Sequence, residues 1–320
     1  MTVTAPDLPR IIDAEGGLPD AAGPGGPRRR SQRMQDQTTV APGQSLRAMM
    51  RTAAGQAKAP HAQPFGAEAF EASETTVLRW LGMAGFLLNS HGTTVMIDPL
   101  LRGFDMPLLV ELPIESSQVP RLDAALVTHS DNDHYSVATC QDLSAVTGAY
   151  HSTHYVASLM TDADLPAHGH GVGERFRIGS VDVEVTPADH AWQNDSPKHR
   201  TRFFGPEDAC GFWIETPDGS IWAPGDSRLI PGHHLTMPTP DALLFDFSDN
   251  EWHFGLAGAV RIANAYPFTP LLLHHWGSVD APDFSPFNGD PEVVTALVTN
   301  PARVHVLAPG EPWVLSRIGA

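Results

Sequence analysis

The chain is poor in cysteine, in cations and in long apolar runs, and each shortage excludes something. Its 320 residues include two cysteines, Cys140 and Cys210. Two thiols make no disulfide framework, so a hydrophobic core has to hold the fold. No apolar run nears the ~20 residues that a membrane-crossing helix needs. The opening Met1-Thr2-Val3-Thr4-Ala5-Pro6-Asp7 has neither the basic start nor the apolar stretch of a secretory signal. A cytoplasmic protein without a membrane span is the expectation. Lys plus Arg number 20 against 37 Asp plus Glu, a formal charge of −17. That balance argues against nucleic acid as a partner, but not against a small anionic substrate held in a locally basic pocket. A glycine-rich phosphate loop is also missing: Gly82-Met83-Ala84-Gly85 follows an expected strand but opens no helix. Composition leaves an oligomer open.

Hydrophobic residues make up 42% of the chain, enough for a substantial core. They are unevenly spread. Residues 1–72 contain Gly16-Gly17 and Gly23-Pro24-Gly25-Gly26-Pro27 and few aromatics, and seven basic residues against one acid fall between Pro27 and His61. Such a segment does not bury enough surface to fold alone. It is expected to be a largely disordered, basic, Pro/Gly-rich arm, with one short helix over 45–57. The folded domain is expected over 73–320. Apolar and β-branched runs predict strands at 77–81, 86–90, 93–97, 122–128, 175–178, 181–186, 211–216, 220–223, 242–247, 270–273 and 304–307. Helices are expected at 136–144, 155–162, 256–265 and 291–298. Strand blocks followed by helices point to a layered α/β sandwich.

The chemistry concentrates in Thr128-His129-Ser130-Asp131-Asn132-Asp133-His134-Tyr135, directly after the apolar strand Ala124-Ala125-Leu126-Val127. Four potential metal ligands fall in six residues. Clustered carboxylates repel one another unless a cation lies between them. Further candidates recur just past other expected strands: His190 in Asp189-His190-Ala191, Asp226 in Gly225-Asp226-Ser227, and His274-His275 after Leu271-Leu272-Leu273. Ligands at four strand ends imply one metal centre at a shared sheet edge. His151, His154, His168, His170 and His233-His234 read as loop or surface residues.

In its order of ligands, from His129-x-Asp131-x-Asp133-His134 through His190 and Gly225-Asp226-Ser227 to His275-Trp276-Gly277, the chain resembles the metallo-β-lactamase superfamily. Trp80-Leu81-Gly82-Met83-Ala84-Gly85-Phe86 and Thr94-Val95-Met96-Ile97-Asp98-Pro99 resemble its branch of ascorbate-6-phosphate lactonase-like proteins and N-acylphosphatidylethanolamine phospholipases. The resemblance spans about residues 76–310. It implies a four-layer αββα sandwich with two divalent metal ions, zinc, manganese or iron. One ion would sit on His129, Asp131 and His190 and the other on Asp133, His134 and His275, with Asp226 bridging. Two positions depart from the family pattern: Asp131 stands where a second histidine is usual, and Met83 where a histidine is frequent. A carboxylate in place of an imidazole suits manganese or iron better than zinc.

The resemblance implies a hydrolase in which a metal-activated hydroxide attacks a lactone, phosphodiester or related ester. Asp133 would orient the nucleophile, and His253 resembles a cleft-facing acid or substrate binder. Lys198, Arg200 and Arg202, in the loop between two ligands, are candidates to hold an anionic substrate, the alternative being a solvated surface loop paired with Glu207 and Asp208; Trp192 is a candidate pocket wall. Two alternatives accompany this reading. Superfamily members that bind two irons carry an acid at the position of Asp131, which implies a di-iron oxidoreductase. The other alternative is a non-catalytic descendant that binds a metabolite.

Overall fold

The computed structural model describes residues 49–319. Two seven-stranded sheets face each other. The first runs, edge to edge, Pro312–Val314, Thr76–Gly82, Gly85–Ser90, Thr93–Ile97, Leu122–Leu126, Thr147–Thr153 and Ala167–His170. The second runs Val304–His305, Leu271–Leu273, Ala242–Phe245, Gly219–Ala223, Cys210–Thr216, Val181–Pro187 and Arg175–Ile178. Each sheet begins as an antiparallel meander and continues as parallel strands. The meander turns follow from local chemistry. Between Gly85–Ser90 and Thr93–Ile97 the chain reverses through His91 and Gly92, at φ of 54° and 89°. Two positive φ angles in a two-residue loop make the twist that an antiparallel pair needs.

Strand alternation builds the core. Leu78, Trp80, Phe86, Leu88, Val95, Ile97, Ala124 and Leu126 point from the first sheet toward Val183, Val185, Phe212, Ile214 and Ile221 of the second. The intervening residues face outward: Ala125, Val127 and Tyr150 pack against Cys140, Val156 and Met160 of the helices Val137–Leu143 and His154–Asp162. Those helices begin on hydroxyl caps: the Ser136 Oγ accepts from the Thr139 N–H and the Thr153 Oγ1 from the Val156 N–H. The helices Gly255–Ala265 and Pro291–Leu297 supply Ala259, Ile262, Ala263 and Val294 to the second sheet. The result is the expected four-layer αββα sandwich.

Several sequence expectations differ from the fold. Residues 1–48 of the expected arm lie outside the described residues. Residues 49–72, assigned to the same arm, are docked on the body. The Ala59 N–H donates to the Gly277 carbonyl at 2.9 Å, the Gln63 N–H to Pro309 at 2.7 Å, and the Gln56 side-chain amide to Val279 at 2.7 Å. Phe65 and Ala69 are buried with Leu81 and Leu87. This segment makes no core of its own but lies on one that already exists, a contribution its composition does not reveal. In place of a helix over 45–57, Met50–Arg51 pairs with Ala57–Lys58. The strands Thr147–Thr153 and Ala167–His170 were not expected, because their Gly, His and Thr content hides the alternation. After Val304–His305 the chain crosses to the first sheet, where Pro312–Val314 pairs with Thr76–Gly82.

Candidate metal centre

Strand order brings the ligand candidates to one edge. The 129–134 turn follows Leu122–Leu126, His190 follows Val181–Pro187, Asp226 follows Gly219–Ala223, and His275 follows Leu271–Leu273. The approach is close: Gly225 sits at φ 69°, and a Cβ there would lie 2.6 Å from the Cys210 carbonyl and 3.2 Å from Thr128. Only glycine lets Asp226 reach the 129–134 turn. Met83, Asp98 and His275 are non-glycine residues held at φ of 51°, 43° and 61°. Backbone strain of this kind, where it clusters, marks a built site.

Donor atoms of Asp133, His134, Asp226 and His275 lie within 4.8 Å of one another, and so do those of His129, His190 and Asp226. Asp226 belongs to both sets. His134 Nε2 is 3.1 Å from Asp226 Oδ2 and 3.5 Å from Asp133 Oδ2. His275 Nε2 is 3.1 Å from Asp133 Oδ2 and 3.4 Å from Asp226 Oδ2. Asp131 Oδ2 lies 3.2 Å from His190 Nε2 and 3.4 Å from His129 Nε2. Thus the structure brings together all seven candidates: His129, Asp131, Asp133, His134, His190, Asp226 and His275.

The imidazoles are anchored through their outer nitrogens. His134 Nδ1–H donates to Asp98 Oδ2 at 2.9 Å, His190 Nδ1–H to the Trp252 carbonyl at 2.9 Å, and His275 Nδ1–H to the Pro286 carbonyl at 2.9 Å. His129 Nδ1 lies 3.0 Å from Thr128 Oγ1, whose own hydroxyl donates to Asp98 Oδ2 at 2.8 Å. Each anchor fixes the tautomer with the Nε2 lone pair turned inward. Inside, lone pairs meet carboxylates. Among the described residues, His129 Nε2 and Asp226 Oδ1 are buried without a hydrogen-bond partner. A buried acceptor without a donor is costly, and a cation is the group that satisfies several acceptors at once.

The proton affinities express the same demand. Burial alone would raise the Asp226 and Asp131 carboxyls, yet both are held well below the usual range: Asp226 by His134, His275 and His253, Asp131 by His129 and His190. Burial works against charge on His134 and His275, yet the carboxylates pull both up, His275 to about 10. The pocket calls for positive charge, and in the metal-free chain protons supply it. His274, the neighbour of His275, behaves oppositely. It is turned into the core against Phe86, and burial lowers it to about 4.

Three residues at the centre were not singled out from sequence. Asp98 accepts from the Thr128 N–H at 2.8 Å and from His134, so it orients both the turn and a ligand candidate. Asp246, past the strand Ala242–Phe245, accepts from His253 Nδ1–H at 2.6 Å, which turns His253 Nε2 toward Asp226 Oδ2 at 3.6 Å. Gln193 donates its amide to Asp131 Oδ1 at 2.7 Å. Asp98 and Asp246 follow the same rule as the ligand candidates, an acid just past an apolar strand, and that rule applied to every strand would have found them.

The candidates for substrate contact fare less uniformly. Trp192, expected as a pocket wall, gives its Nε1–H to Asp131 Oδ2 at 2.6 Å. Arg202, expected as an anion binder, pairs with the buried Asp208 and lies over the Tyr155 ring at 3.7 Å. An arginine beside a buried carboxylate in a strongly acidic chain is captured by it. Lys198 and Arg200 remain exposed on the same loop. Met83 is buried beside the centre, and its carbonyl accepts from the His275 N–H at 2.8 Å. His234, read as a surface residue, is fully buried against Trp222 and Phe254.

Comparison with known proteins agrees with this geometry. The profile of a family described as Beta-lactamase superfamily domain matches residues 93–276. A UPF0173 metal-dependent hydrolase of Rubrobacter xylanophilus is 28% identical over 248 residues, which cover 74% of this chain and 95% of that protein. Among solved structures, an isothiocyanate hydrolase from Delia radicum gut bacteria superposes with a TM-score of 0.61 at 18% identity, covering 76% of this chain and 100% of that one. CmlA, a diiron beta-hydroxylase from Streptomyces venezuelae, gives 0.55 at 15% identity, covering 76% of this chain and 55% of that one. At such identities the structural likeness speaks for the fold. With its profile match, its αββα sandwich and its shared edge of histidines and aspartates, the chain belongs to the metallo-β-lactamase superfamily.

Proposed function

We propose that this protein is a metal-dependent hydrolase acting on a small, anionic lactone, phosphodiester or related ester, in the manner of the lactonase- and phospholipase-like branch, and that it works in the cytoplasm. The observation that carries the reading is the pair of buried donor sets sharing Asp226, with His129 Nε2 and Asp226 Oδ1 unpartnered. His129, Asp131 and His190 would hold one divalent ion and Asp133, His134 and His275 the other, with Asp226 between them. When bound, such ions supply Lewis acidity, which activates water and stabilises negative charge developing on oxygen.

The chain's own groups do the positioning. Asp133 accepts a hydrogen bond from the nucleophilic water and sets its direction of attack. Asp246 accepts from His253 Nδ1–H and so turns Nε2 toward the centre; once Nε2 carries a proton as well, His253 holds a substrate oxygen or gives that proton to the leaving group. Lys198 and Arg200 offer cations to an anionic group at the mouth. Protein purified without chelators is expected to contain about two ions per chain by elemental analysis. Hydrolysis of a generic phosphodiester or lactone should fall by roughly 10²-fold or more in Asp133→Ala; full turnover by that variant would refute the assignment.

One observation favours a second reading, an iron-dependent oxidoreductase: the carboxylate of Asp131 stands among His129 and His190. A coloured, iron-rich preparation that consumes oxygen and leaves esters intact would decide for it.

A further inference from the structure

Asp131 stands in the first run of ligand candidates, between His129 and Asp133, and the structure surrounds it with donors. Trp192 and Gln193 are consecutive residues of the short 3-10 helix Trp192–Asp195 that follows His190. The indole Nε1–H reaches Asp131 Oδ2 at 2.6 Å and the amide Nε2–H reaches Oδ1 at 2.7 Å. Gln193 is buried, and its Oε1 has no hydrogen-bond partner among the described residues. The amide is therefore oriented by the carboxylate alone: turned over, it would set oxygen against oxygen. One oxygen of Asp131 is occupied by the amide. The other keeps a free lone pair on the side where His129 Nε2 and His190 Nε2 stand 3.4 and 3.2 Å away.

We propose that Trp192 and Gln193 are positioning residues which fix Asp131 as a single-oxygen anionic donor to the ion held with His129 and His190, and that this clamp is why an acid is required at 131. The inference rests on the reading of the centre given above. A neutral histidine at 131 has one acceptor nitrogen, and the ion would take it. The indole and amide N–H groups would then face a buried ring with nothing to accept them. An acid has lone pairs for all three. The clamp also gives this half of the centre harder, oxygen-bearing ligation, which favours manganese or iron over zinc there. The substitution Asp131→His is thus harmful in this chain unless residues 192 and 193 change with it.

The test is uptake of Mn2+ or Zn2+ alone by the stripped full chain, dialysed against metal buffers and read by elemental analysis. Unfolding of the stripped chains is followed in parallel to confirm folding. Wild type should bind two ions. Gln193→Leu and Trp192→Phe should each keep one ion unchanged and weaken the other on the order of 10–100-fold, as lost outer partners of metal ligands do. Asp131→His should weaken the same ion, and Asp131→His combined with Trp192→Phe and Gln193→Leu should bind it more tightly than Asp131→His alone. Should Trp192→Phe fail to fold, Gln193→Leu carries the test. Unchanged affinity in Gln193→Leu, equal weakening of both ions, or two tightly held ions in Asp131→His overturns the clamp while leaving the centre standing. A wild-type chain that binds no ion overturns both.

Discussion

Two histidine clusters in this molecule make an instructive pair. At the sheet edge, His134 and His275 stand among Asp98, Asp133 and Asp226. At the lateral edge of the first sheet, His151 stacks on His168 and His170, and His151 and His170 stack on Phe176, with His151 Nδ1 2.9 Å from His170 Nε2. Both are imidazole-rich, yet the proton affinities of His134 and His275 rise while those of His151 and His170 fall. Carboxylates pull His275 up to about 10 against burial, whereas burial and the neighbouring imidazoles push His151 down to about 4. The difference lies in the partners. Outer anchors and inner carboxylates build a cation site, while histidines stacked on a phenylalanine build a patch of sheet edge.

The largest effect expected from breaking this contrast is at the shared ligand. Asp226→Ala removes a donor from both sets and should cost about 10³-fold in hydrolysis and lower metal content by elemental analysis, since Lewis-acid stabilisation amounts to several kcal/mol. A smaller loss is expected from the relay: roughly 10²-fold in kcat for His253→Asn and about tenfold for Asp246→Asn, with two ions retained in both. Equal losses with depleted metal would make His253 and Asp246 parts of the metal cradle instead.

The next effect is one of pH. In the stripped chain, the raised affinities of His134 and His275 stabilise the fold fully below the unfolded imidazole value, ~6.5. That contribution is lost as pH climbs toward the folded value of about 10 for His275. The depressed Asp131 and Asp226 act on the other side: their contribution is present above the unfolded carboxylate value, ~3.9, and is lost as pH falls below it. Thermal unfolding of the stripped chain should therefore show Tm declining between pH 7 and 10, and metal loading should remove the decline because cations replace the protons. A stripped chain with flat Tm over that range would contradict the charge assignment.

The smallest effect belongs to the sheet edge. His151 is depressed, so its contribution is present above pH ~6.5 and lost on acidification toward about 4. His151→Leu should leave metal content and hydrolysis unchanged and flatten only the acid side of the Tm profile.

Much of the site was legible from single residues. Ligand-capable side chains just past apolar strands follow from strand chemistry, while the choice of His275 over His274 came from the resemblance, through the Trp276-Gly277 pair. Trp192 and Arg202 show where that legibility stopped. Trp192 lies in a loop whose path depends on a partner distant in the chain, Asp131, 61 residues away, whereas Arg202 is drawn off by Asp208 within its own loop. The docking of residues 49–72 was invisible for the same reason: Gln56, Ala59 and Gln63 bond to segments two hundred residues further on, and Phe65 and Ala69 pack on strands that follow them.

Sequence by itself determined that this chain forms a layered α/β sandwich with candidate metal ligands at its strand ends, because alternation and local turn chemistry are properties of short segments. Only the tertiary structure decided which donors each carboxylate meets, which imidazole nitrogen faces inward, and that Asp131 is gripped by Trp192 and Gln193. Hydrogen bonds and charge interactions act over a few ångströms of space, however many residues of chain separate the partners.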